Sequence, residues 1–66
     1  MSAYKVCFIS NNIASIKTVI GKYHFEGDFY YYTNNKGSLV FAIIKAESES
    51  DARVKAHGII DEVERE

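Results

Sequence analysis

His24, Glu26 and Asp28 stand two residues apart. On an extended chain they project to one side. An imidazole with two carboxylates is a donor set for zinc or a similar divalent ion. Such a site needs both this spacing and an extended backbone. The plainer reading is a polar connection leading into a strand, so no metal and no cofactor is expected.

Cys7 could form a thiolate–imidazole pair with His24 or His57. Nothing in the sequence brings these residues together. Cys7 alternates within an apolar run, where a free cysteine behaves as a small hydrophobe. His57 falls beside Arg53 and Asp61, on the wet side of a helical pattern. The chain has no Gly-rich phosphate loop, nucleophile elbow or zinc knuckle. No catalytic residue is assigned, and the expectation is a protein that is not an enzyme.

Tyr30-Tyr31-Tyr32 is the most unusual local feature. Strand alternation sends Tyr30 and Tyr32 one way and Tyr31 the other. Either all three pack with their hydroxyls at the margin of a core, or two of them stand on an open sheet face, where tyrosine offers large contact area at low entropic cost.

The element that positions them is a hairpin from Phe29 to Ala46. Its two β-favouring runs flank Asn34-Asn35-Lys36-Gly37. With Gly37 in the left-handed region, Asn35-Lys36-Gly37 makes a three-residue loop with a bulge. Thr33 then faces Leu39, Tyr31 faces Phe41 and Phe29 faces Ile43. One face would carry Phe29, Tyr31, Leu39, Phe41 and Ile43, and is the expected core. The other would carry Tyr30, Tyr32, Val40, Ala42 and Ile44, and is the candidate binding face. Neither face is polar, as a half-solvated hairpin's outer face would be, so both are expected to touch something.

Tyr4 to Ser10 alternates with apolar residues on both faces and reads as an inner strand. Asn12 to Tyr23 is ambiguous. Ile13, Ile16, Ile20 and Tyr23 have helical spacing, with Asn11 or Asn12 as a cap. The β-branched Ile-Lys-Thr-Val-Ile run and Gly21 oppose a helix. Ser48 to about Arg65 is a helix, with capping-box spacing between Ser48 and Asp51. Its stripe is Ala52, Ala56, Ile59, Ile60 and Val63, and the small Ala52, Ala56 and Gly58 would let it lie close to a sheet. The expected fold is α+β: a three-stranded antiparallel sheet with two helices on one face, in β-α-β-β-α order. That layout is similar to part of a ferredoxin-like fold, an analogy that carries no function. The alternative is a four- to five-stranded antiparallel meander with one C-terminal helix.

Sixty-six residues form one domain, residues 1–66, of a size that is marginal alone. One cysteine allows no internal disulfide. A homodimer or a protein partner is therefore the expected source of added stability. The net charge is −1 and no basic run appears, which disfavours nucleic acid. No stretch has the roughly 18 apolar residues of a membrane span, and the short apolar run after Met1 is not expected to act as a secretion signal. The expectation is a cytoplasmic protein-interaction module. Single-stranded nucleic acid or a small ligand on the tyrosine-bearing face is the alternative.

Overall fold

The computed structural model describes residues 2–19 and 26–65. Four strands are followed by one helix: β1 (Ser2–Ile9), β2 (Asn12–Val19), β3 (Phe29–Thr33), β4 (Leu39–Ala46) and α1 (Glu49–Glu64). The strands form one antiparallel sheet in the order β2-β1-β4-β3. The architecture is thus the four-stranded form with a C-terminal helix, and the two-helix arrangement is corrected.

The correction has a local cause. Ser10 and Asn11 both take positive φ, 52° and 60°, as a two-residue type I′ connection requires. They turn β1 directly into β2, so Asn11 caps no helix. Its side-chain oxygen accepts instead from the Leu39 backbone N–H at 2.9 Å, tying this turn to the start of β4. In the β1–β2 ladder Cys7 faces Ser15 and Phe8 faces Ile13, which leaves Ala14 as an extra residue. A bulge of this kind shifts strand parity by one. Ile13 and Ile16 therefore share a face, and their spacing of three imitates a helical stripe. Ile20 and Tyr23, the other members of that stripe, lie outside the described residues.

The β3–β4 hairpin forms as its turn residues dictate. Gly37 takes φ 80°. The Asn34 N–H donates to the Ser38 carbonyl at 2.8 Å, and the Gly37 N–H to the Asn34 carbonyl at 3.0 Å. Thr33 faces Leu39 as expected, but Tyr32 then faces Phe41 and Val40 is left over. This second bulge slips the remaining register. Tyr31 faces Ala42, Tyr30 faces Ile43 and Phe29 faces Ile44.

The core lies between the sheet and α1. Val6, Phe8, Leu39, Ala42, Ile44 and Ala46 meet Ala52, Ala56, Ile59 and Ile60, with Tyr4, Ile13, Ile16 and Val63 at the margin. Ala52 and Ala56 are fully buried, so the close approach of helix to sheet rests on them. Gly58 is exposed, and a Cβ there would meet nothing within 4 Å. It plays no part in that approach. The helix begins with Ser48 as N-cap, its Oγ accepting from the Asp51 N–H at 3.1 Å. Asp51 in turn accepts from the Glu47 N–H and pairs with Lys55.

Candidate functional site: the uncovered sheet face

Among the described residues α1 alone packs on the sheet, over β1, β2 and β4 from one side. Ladder pairing defines what stands on the other side. Reading across the sheet from β2 to β3, one row holds Ser15, Cys7, Phe41 and Tyr32. The next holds Lys17, Lys5, Ile43 and Tyr30. A third holds Val19, Ala3 and Lys45.

The first row is an aromatic shelf. The Tyr32 and Phe41 rings meet edge to face with centroids 5.2 Å apart, a favoured geometry for the ring quadrupoles. Tyr32 remains 62% exposed and Tyr30 40%. The Lys5 ammonium sits over the Phe41 ring, 5.1 Å from its centroid. This cation–π contact holds the charge beside the shelf.

The second row places Lys5 directly opposite Lys17, both exposed. Like charges facing each other across a ladder are destabilising. None of the strand residues on these rows is acidic, and among the described residues neither lysine belongs to an ion pair. The lysines therefore project an unbalanced positive field next to exposed aromatic rings.

The residues expected on the binding face divide. Tyr30 and Tyr32 stand on it. Val40 is the bulge residue, 44% exposed. Ala42 and Ile44 are fully buried under α1, so their placement on an open face is corrected. The Val40 bulge exchanges them with Phe41 and Ile43, which were expected on the helix-side core face; Ile43 is still buried, at 3% exposure. Cys7 is half-buried on the uncovered face, with α1 and its exposed His57 on the other side of the sheet, so the thiolate–imidazole pairing with His57 does not form. His24 lies outside the described residues. Among the described residues no group of three metal-ligating side chains occurs.

Lys17 was missed because a helix would have carried it away from the sheet. A signal did exist in the distribution of charge. Residues 1–46 hold five lysines and two carboxylates, whereas residues 47–66 hold seven carboxylates and three bases. The total of −1 conceals a basic sheet segment and an acidic helical one. On the helix side, a shallow cleft of about 290 Å³ runs between the start of β3 and α1, lined by Asp28, Phe29, Lys55, Gly58, Ile59 and Glu62.

The chain matches no protein-family model, no curated protein and no solved structure.

Proposed function

We propose that this protein is a non-enzymatic binding module that takes single-stranded nucleic acid on its uncovered sheet face. The observation that carries the reading is the exposed Lys5–Lys17 pair beside Tyr32 and Phe41, on strands without a facing carboxylate. An anionic ligand would relieve the repulsion between the two ammonium groups. Phosphates would lie against Lys5 and Lys17, with Lys45 further along the face. Bases would stack on the exposed Tyr32 and Tyr30, a mode that tolerates any base because each has a π-face. The expectation against nucleic acid rested on a missing cationic component. The strand at Asn12–Val19 sets Lys17 opposite Lys5, and these two neighbouring cations support the reading.

A symmetric dimer through this same face fits less well, because it would set the lysines of two copies against each other. A protein partner with an acidic surface would answer the same charges, and is one outcome of the test.

The test is fluorescence anisotropy with labelled single-stranded oligothymidylate of about twelve nucleotides at about 50 mM salt. Saturable binding is expected, with a log–log salt slope of about −1.4, or about −0.7 for each of the two lysines. Lys17→Glu and Tyr32→Ala should each weaken binding about fivefold or more, the equivalent of ~1 kcal/mol of stacking or charge. Glu62→Gln, on the helix side, should leave it unchanged. Absence of binding at about 200 µM protein under low salt would overturn the reading and favour a protein partner. So would equal affinity in Lys17→Glu.

A further inference from the structure

We propose that the cleft between β3 and α1 binds a small organic ammonium ion with an apolar body, such as an arylalkyl ammonium. The cleft originates in the placement of the helix. α1 packs on β1, β2 and β4 but not on β3. Phe29 and Tyr31 pair with the buried Ile44 and Ala42 and so face the helix side. With no helix above them they stay 37% and 38% exposed, their rings stacked with centroids 6.4 Å apart. The step between this side of the sheet and α1 is a cleft of about 290 Å³.

The helix supplies the second wall. Lys55, Gly58, Ile59 and Glu62 are spaced i, i+3, i+4 and i+7, so they share one face of α1. Gly58 is the informative member. Inside a helix, glycine is less favourable than any residue except proline. Nothing in the fold asks for it here, since its φ is not positive and a Cβ would meet nothing within 4 Å. A side chain at this position would instead extend over the space that Gly58 lines. The missing side chain keeps the cleft open.

The charges select the ligand. Asp28 stands on the sheet side, its carbonyl accepting from the Lys45 N–H at 2.8 Å, and Glu62 stands on the helix side. Among the described residues neither carboxylate belongs to an ion pair. Lys55 also lines the cleft, but its charge is already engaged. Its Nζ donates to the Lys45 carbonyl at 2.9 Å and lies 3.5 Å from the Asp51 carboxylate. Two carboxylates beside the apolar Phe29 and Ile59 suit a cation that carries hydrocarbon. The Phe29 ring adds a face on which an ammonium is favoured. An anion would meet both carboxylates. A metal ion would find these two and, among the described residues, no third ligating side chain.

The test is an NMR titration of the labelled protein with 2-phenylethylammonium. Amide shifts should saturate at Asp28, Phe29, Gly58 and Glu62 with a Kd of about 1 mM, as a ligand this small allows. 2-Phenylethanol has nearly the same shape without the charge, and should bind at least about fivefold more weakly. Glu62→Gln keeps the shape and removes one carboxylate. It should weaken the ammonium about threefold or more and leave the alcohol unchanged. Gly58→Leu should fill the cleft and abolish binding, with a higher melting temperature because leucine is the better helix former. The alcohol comparison needs no variant, so it holds whether or not Gly58→Leu folds. Shifts that do not saturate by about 20 mM ammonium would overturn the proposal. So would equal affinity for the alcohol, or wild-type affinity in Glu62→Gln or in a folded Gly58→Leu chain. The cleft and the Tyr32-bearing face lie on opposite sides of the sheet, so this result is independent of oligonucleotide binding.

Discussion

Lys5 and Lys17 allow stability and the proposed binding to be separated at the scale of single residues. Placed opposite each other on neighbouring strands, they cost the free protein a few tenths of a kcal/mol. Lys17→Glu turns the repulsive pair into an attractive one. Chemical denaturation should therefore show this variant more stable by about 0.2–1 kcal/mol, although the same change should weaken oligonucleotide binding. A fall in stability would show that the two ammonium groups do not interact across the ladder. The Lys5 contact with Phe41 keeps one charge at the rim of the aromatic shelf. Asn11 shows a different use of a polar residue. It turns the chain at positive φ and accepts from Leu39 on a strand that it does not adjoin in sequence.

At the scale of elements, the two bulges decide which side chains are core. Beyond Val40 the parity of β4 reverses, so Ile44 is fully buried while Val40 is exposed. Ile44→Lys should abolish cooperative folding, since it places an unpaired charge in the core. Val40→Lys should change stability by about 0.5 kcal/mol or less, as surface changes usually do. Thermal melts followed by circular dichroism check both, and a folded Ile44→Lys protein would refute the register. The elements with strong local signals were legible in the sequence. The loop at Asn35–Gly37 was announced by its turn formers, α1 by Ser48 and its apolar stripe, and β1 by apolar residues on both faces. The bulges within the strands, at Ala14 and Val40, were not legible. An extra residue leaves no mark in composition, and at Ile13 and Ile16 it produces the spacing of three that a helix would show. That substitution of a strand for a helix also hid half of the candidate site, because Lys17 reaches the uncovered face only from β2.

At the scale of the whole molecule, the division of charge gives the protein two unlike sides. The sheet presents lysines and aromatic rings, and α1 carries exposed Glu49, Asp61, Glu62 and Glu64 on the opposite side. An anionic polymer would be drawn to one side and repelled by the other, so orientation follows even though net charge is near zero. A chain this small has one core to spend, and α1 uses it on one face of the sheet. Among the described residues no helix packs on the other face. No described helix is long and apolar enough to cross a membrane.

The most direct measurement is an NMR titration of the labelled protein with single-stranded oligothymidylate at low salt. Chemical-shift changes are expected to concentrate at Lys5, Lys17, Tyr30, Tyr32 and Phe41, with Ala52, Ala56 and Ile59 of α1 unmoved and the changes reversed by added salt. Shifts centred on the cleft at Phe29, Gly58 and Glu62, or none at all, would contradict it.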